Sequence, residues 1–355
     1  MEKKTHSVSR IPGAEFRSDG AQWLYFGGTS YLGVQSHEGF QELMTRFTRE
    51  MGTHWGASRE GQLVPAIYGE TEAALAAWTG SEACITVSSG FLAGRLLADA
   101  FSGNGYHCLF SPNCHAALLP ARSGRASSWE ALELDLLKIR QQGGKQAVLF
   151  TDTIDFSDGP RFVVEKLRTL DLTDVILIAD DSHGTGVLGD GGRGSFPELR
   201  GLAVRDLMVC ASMGKALGVT AGLILGTSTR IQSLRQEPAF AGASPAPPAA
   251  LATFCAALDS GLYLEQFERL WANVRLFSGW LRDLPGVTGG AHFPVFLFRK
   301  AALAAFLESN NVLATHFSYA AEQPESPGRI VLTASHSEAH IRSLAKILGA
   351  FQDLQ

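Results

Sequence analysis

The chain has 355 residues, 45% of them hydrophobic and 18% charged, with a formal net charge of −5. That length suits two domains, or one large domain with a smaller one, and the charge balance excludes the basic footprint of a nucleic-acid binder. No apolar run reaches the ~18–20 residues of a membrane span, residues 1–6 lack the apolar core of a signal peptide, and five cysteines without CxxC spacing suit a reducing cytoplasm.

Residues 7–35 read as a strand-rich lead-in. A helix over 37–51 follows, with Phe40, Leu43, Met44, Phe47 and Met51 at helical spacing. From residue 80, apolar runs at 84–87, 108–110, 147–150, 175–179, 207–211 and 223–225 alternate with helical patterns at 91–101, 130–142 and 163–170. The alternation predicts an α/β fold built on a large, doubly wound, mainly parallel sheet. The Pro-rich stretch over 240–248 is the strongest punctuation in the chain. Helices at 249–260 and 264–283, strands near 294–298 and 329–333 and a closing helix at 337–351 then describe a smaller α+β unit. The expected division is a lead-in over 1–35, a large domain over 36–244 and a small C-terminal domain over 245–355 that the lead-in joins.

Two tracts carry the chemistry. Ile178-Ala179-Asp180-Asp181-Ser182-His183-Gly184 ends one apolar run and delivers a carboxylate and an imidazole to the carboxyl end of the sheet, where open α/β folds build their sites. Ser212-Met213-Gly214-Lys215-Ala216-Leu217-Gly218 follows another run and offers one lysine among small neighbours. A carboxylate to hold a ring nitrogen protonated and an amine able to form an imine are what pyridoxal phosphate requires of a protein. Each half alone has an ordinary reading, a loop-capping Asp180 and a surface Lys215. A P-loop does not fit, because Val209 stands where its first glycine belongs and Ala216 where Ser or Thr belongs. Asp180, Asp181 and His183 lack a neighbouring cluster to complete a metal shell, so no metal is expected. Asp181 is expected to face the exterior or a neighbouring loop.

Ser89, Gly90 and Phe91 lie between the run at 84–87 and a helix start, which sets free amides where a phosphate can sit. Ser212, three residues before Lys215, offers a hydroxyl to the same group. His115 reads as a structural histidine or a stacking partner, and Arg329 as a carboxylate clamp or a surface cation.

Together these pieces resemble the α-oxoamine synthase family of fold-type I pyridoxal-phosphate enzymes, from about residue 19 to the end. The matching pieces are Ser30-Tyr31-Leu32-Gly33-Val34, the glycine-rich stretch closing on Gly56-Ala57-Ser58-Arg59, Ser89-Gly90-Phe91, His115, Asp180 with His183, the glycines at 184–194, Lys215, and Arg329 seven residues before His336. The resemblance implies a large PLP-binding domain with a small C-terminal domain, working as a homodimer with its sites at the interface. It implies catalytic roles for Lys215, His183, Asp180 and His115, with Ser89, Gly90, Phe91 and Ser212 also holding the cofactor. Ser30 and Arg329 would bind substrate. The implied reaction joins a small amino acid to an acyl-CoA, usually with loss of carbon dioxide.

The sequence also departs from that family. Its usual N-terminal helical stretch is largely absent, Phe156 stands where serine is usual unless Ser157 substitutes, and Tyr68 replaces a common histidine. Residues 241–244, Ser111 and Ala117 also differ. Three functions remain open: C-acyl transfer, aminotransfer on the same scaffold, and a PLP-binding protein without catalysis.

Overall fold

The structure is a computed structural model that describes residues 5–120, 123–157, 159–281, 286–290, 292–315 and 327–352. The lead-in holds β1 (Glu15–Ser18) and β2 (Ala21–Phe26), followed by α1 (Glu38–Met51) and α2 (Ile67–Thr79). Next come β3 (Ala83–Val87), α3 (Gly90–Ala100), β4 (Tyr106–Phe110), α4 (Trp129–Gln142) and β5 (Gln146–Asp152). A small ribbon, β6 (Ile154–Asp155) and β7 (Arg161–Phe162), leads to α5 (Val164–Thr169), β8 (Ile176–Asp180), α6 (Phe196–Arg200), β9 (Asp206–Ser212) and β10 (Gly222–Gly226). After α7 (Ser228–Arg235) and α8 (Pro238–Gly242) come the longer α9 (Pro248–Asp259) and α10 (Leu262–Trp280). The remainder is β11 (Val287–Gly289), β12 (Val295–Phe298), α11 (Ala301–Ser309), β13 (Val312–Ala314), β14 (Gly328–Val331) and α12 (Glu338–Gln352).

The central sheet has the order β3-β10-β9-β8-β5-β4. β4, β5, β8 and β9 are parallel, while β10 runs antiparallel between β9 and β3. Its strands are apolar throughout because both faces are covered. Ile176, Ile178, Met208 and Cys210 point into one core with Ala93, Leu96 and Leu97 of α3. Leu177, Ala179, Leu207 and Val209 point into the other with Leu75 of α2, Leu132 of α4 and Phe254 of α9. The period of two along each strand therefore separates two cores rather than a core from solvent. The 264–283 helix runs shorter than its pattern, over Leu262–Trp280, and residues 282–283 lie outside the described residues. α2 was not apparent in the pattern: it buries Ile67, Tyr68, Thr71, Glu72, Leu75, Ala76 and Thr79, which leaves no single apolar stripe.

Past residue 245 the chain first continues the large layer, since α9 packs on α1 and α2. The antiparallel sheet β11-β12-β14 follows, covered by α12 and α10. β13 pairs in parallel with β2, so the first strands and the last third of the chain share a sheet. Among the described residues no helix is long and apolar enough to cross a membrane.

His336 fastens these ends together. Its Nδ1 accepts the Thr333 amide at 2.9 Å and its Nε2 donates to the Tyr25 carbonyl at 2.9 Å. The ring stacks on Phe26 at 4.2 Å, and Asn273 holds the Thr333 and His336 carbonyls from α10. Burial pushes this imidazole down to about 4. The unfolded chain therefore binds the proton first. Stability from His336 is present above about pH 6.5 and is lost as pH falls toward about 4, a change of up to about 3 kcal/mol. Denaturation midpoints between pH 7.5 and 4.5, with the ring followed by NMR, check this; a ring titrating near 6.5 would refute it.

Candidate active site

Adjacent strands end side by side. β5 closes on Asp152, β8 on Asp180 in register with it, and Cys210 of β9 pairs across from Asp180. Because β10 runs the other way, its first residue, Gly222, lies level with Ser212 and Val87. The chain leaves β3 there through Ser89 into α3. Ser89 caps the helix by accepting the Leu92 amide at 3.1 Å. Helix geometry leaves the Gly90 and Phe91 amides without intrahelical acceptors. A Cβ on Gly90 would lie 2.6 Å from Ser212 Cβ, so glycine there lets the turn sit against β9. Ser212 Oγ accepts from Gly214 N–H at 3.3 Å, which leaves its own proton to donate to an anion. The Phe91 ring is 58% exposed, so what Phe91 offers the site is its amide.

Asp180 is buried, with Oδ1 accepting the Ser182 amide at 2.8 Å. Its Oδ2 lies 4.0 Å from His115 Nδ1, which itself accepts the Ala117 amide. His115 is therefore beside Asp180 without a hydrogen bond to it. Partial burial pushes this imidazole down, Asp180 resisting and Lys215 and Arg125 adding to the effect. Lys215 lies in the turn between β9 and β10. Burial pushes its ammonium below the ordinary value, and the Asp180, Asp152 and Asp181 carboxylates pull it partway back. A lysine in that state holds more free amine at neutral pH, which a nucleophile requires.

His183 is half-buried and hydrogen-bonded through Nδ1 to the Tyr31 hydroxyl at 2.8 Å. Burial, then the Lys215 and Arg329 cations, push it well below the ordinary value, so it is a neutral ring. Ser30 reaches the same place through Gln35, whose Nε2 donates to Ser30 Oγ at 3.0 Å and to the Lys215 carbonyl at 2.9 Å. Arg329, on β14, stands over the ring of Phe156, which meets His183 edge-on.

The structure thus gathers Asp180, His183, His115, Ser89, Gly90, Ser212 and Lys215 at one end of the sheet, with Ser30 and Arg329 arriving from elements outside it. Of the two settings expected for Asp181, the structure has the neighbouring loops and not the exterior. Asp181 is 1% exposed: Oδ1 accepts from Thr153 and Ser195 hydroxyls at 2.7 and 2.5 Å, and Oδ2 from the Thr185 hydroxyl and the Ser195 amide at 2.9 and 3.0 Å. Burial pushes its carboxyl up and the four donors pull it back. Gly194, at φ +83, passes so close that a Cβ would lie 2.5 Å from Asp181 Oδ2. The amide and hydroxyl of Ser157 both donate to Asp155 Oδ1.

Sequence reasoning passed over Asp152. It accepts the His115 amide at 2.7 Å, and burial with the neighbouring Asp180 carboxylate pushes its own carboxyl well up. Its signal was present, an acid close past the end of an apolar run, as at Asp180.

The residues present fit pyridoxal phosphate. An amine that burial pushes below its ordinary value, a buried carboxylate and an anion-accepting helix start converge, and the contact of Gly90 with Ser212 holds the last of these against the strand that leads to Lys215.

Residues 30–348 match the family described as aminotransferase class I and II. The chain is 30% identical to the 8-amino-7-oxononanoate synthase of Alkalilimnicola ehrlichii over 94% of this chain and 89% of that protein. It is 30% identical to that of Pelobacter propionicus over 81% and 80%. Among solved structures, the serine palmitoyltransferase of Sphingomonas wittichii superposes with a TM-score of 0.83 at 19% identity, over 98% of this chain and 92% of that one. The 8-amino-7-oxononanoate synthase of Francisella tularensis gives 0.71 at 19% identity, over 94% and 98%. At such identities these two likenesses speak to the fold alone.

Proposed function

The chain belongs to the aminotransferase class I and II family, in its α-oxoamine synthase branch, and from that premise we propose that it joins a small α-amino acid to an acyl-CoA with loss of carbon dioxide. It is a pyridoxal-phosphate-dependent transferase of the fold-type I class. The observation that carries the reading is the convergence of Lys215, a buried Asp180 and the start of α3 on one end of the sheet. Relatives bearing the name 8-amino-7-oxononanoate synthase support acyl transfer over aminotransfer.

When bound, pyridoxal phosphate supplies a protonated pyridine ring that takes up the electrons released at the substrate's Cα. In this reading Asp180 would accept a hydrogen bond from the ring N–H and so keep the ring protonated, and the amides of Gly90 and Phe91 with the hydroxyls of Ser89 and Ser212 would hold the phosphate. Lys215 offers its amine for covalent attachment and, once displaced, takes the Cα proton as general base. The Tyr31–His183 pair would present a hydrogen bond to the ring's phenolic oxygen. His115 flanks the ring, anchored through its amide by Asp152. Arg329 binds the substrate carboxylate, and Ser30 sits close by through Gln35.

A homodimer completes the proposal, supported by the exposed apolar side chains of Met51, Leu63, Val64 and Phe91. The five unpaired cysteines support a reducing, cytoplasmic setting.

The test is to incubate the yellow holoprotein with glycine, alanine or serine and a series of acyl-CoAs and follow free thiol. Thiol release dependent on both substrates is expected. Amino-group exchange with keto acids and no thiol would establish the aminotransferase instead, and neither activity in cofactor-loaded protein would leave a non-catalytic binder.

A further inference from the structure

We propose that Phe156 is a positioning residue for Arg329: its ring face holds the guanidinium flat, so that the planar N–H edge meets the substrate carboxylate. This deepens the proposed reaction and rests on it. Phe156 follows β6 in the small ribbon beside the site. The Arg329 guanidinium carbon stands 4.6 Å over its ring centroid, within the ~6 Å across which a cation is drawn to an aromatic face. The ring itself is braced. His183 meets it at 4.9 Å and 70°, and Phe293 at 5.7 Å and 74°, both edge-on. Phe293 in turn meets Tyr31, the partner of His183, at 5.4 Å. Phe156 is therefore the link between the candidate carboxylate clamp and the ring-side histidine.

Stacked on that face, the guanidinium would turn its in-plane N–H donors sideways, which is the geometry of a bidentate carboxylate contact. The ring also shields one face of the cation from water and so strengthens its charge contact with a carboxylate. The family pattern has a serine at this position, and the hydroxyl of the neighbouring Ser157 donates to Asp155 Oδ1. At this position the chain thus holds a ring that orders the cation rather than a hydroxyl that donates to the substrate.

The test titrates holoprotein with glycine and with methylamine, the same amine without a carboxylate, reading the visible absorbance of the cofactor. Phe156→Leu should weaken glycine binding about tenfold and leave methylamine unchanged, while Phe156→Tyr, which keeps the ring, should bind glycine like the parent. Arg329→Ala should weaken glycine by about a hundredfold. If Arg329→Ala weakens glycine but Phe156→Leu does not, the carboxylate clamp stands and the role of Phe156 falls. If neither variant affects glycine, both fall together. Equal weakening of glycine and methylamine by Phe156→Leu would show a general packing role and overturn the proposal.

Discussion

Replacing Lys215 with alanine is expected to lower turnover by about ten-thousandfold and to abolish borohydride trapping of the cofactor on the protein. Two roles converge on the one amine, attachment of the cofactor and removal of a proton from Cα, and a positioned proton-transfer group alone is worth about 10²–10⁴ in rate. The surroundings are arranged for both. Burial pushes the amine toward its free form, and Gln35 fixes the backbone of the turn by bonding the Lys215 carbonyl. The fold should survive, because the neighbours Met213, Ala216 and Leu217 fill the core and Lys215 does not. Reduction with borohydride followed by peptide mass mapping provides the check. An adduct at a lysine other than 215, or turnover within about tenfold of the parent, would remove Lys215 from the chemistry.

Asp181→Ala is the second large effect, and it falls on stability. Four donors converge on this carboxylate, three hydroxyls and the Ser195 amide. Removing it leaves at least the Ser195 amide buried without an acceptor, at about 1–3 kcal/mol, and opens a void where the carboxyl stood. The hydroxyls of Thr153, Thr185 and Ser195 can turn to other acceptors only in part. The expected loss is about 3–4 kcal/mol, read as a shift in the denaturation midpoint, with Asp181→Asn losing about half as much because it keeps one acceptor oxygen. A loss below about 1 kcal/mol for alanine would show that the tract from Gly184 to Ser195 is held by other means. Activity should fall with stability, since Asp180 and His183 flank this anchor.

Several elements were plain in the sequence for a physical reason. The inner strands of the central sheet are buried on both faces, so each carries a short unbroken apolar run. Strand direction leaves no such mark, and the antiparallel course of β10 emerges only from the tight turn between Lys215 and Ala221. α2 escaped notice because its buried face includes Thr71, Thr79 and Glu72, the last of these paired inside the protein with Arg59 and Arg235. At the site, Asp180 and Lys215 were legible because small residues and strand ends surround them. Asp181 stayed undecided between the exterior and a neighbouring loop because nothing local distinguishes an acid facing water from one facing four donors contributed by positions 153, 185 and 195. Asp152 was overlooked because its role depends on the adjacent strand, a relation that sheet order creates and sequence spacing does not express.

The joining of β2 to β13, with His336 bonded to a carbonyl 311 residues away, sets a timetable for the newborn chain. At about 5–20 residues per second of synthesis, the lead-in waits roughly fifteen seconds to a minute for its partner strand to leave the ribosome. Over that interval Phe16, Trp23 and Phe26 have no lasting cover, and the unpaired edge of β2 is open to whatever other strands are near. The substrate-facing half of the site, reached through Ser30 at one end and Arg329 at the other, is consequently the last part of the molecule to assemble, and the step most sensitive to a crowded or overproducing cell.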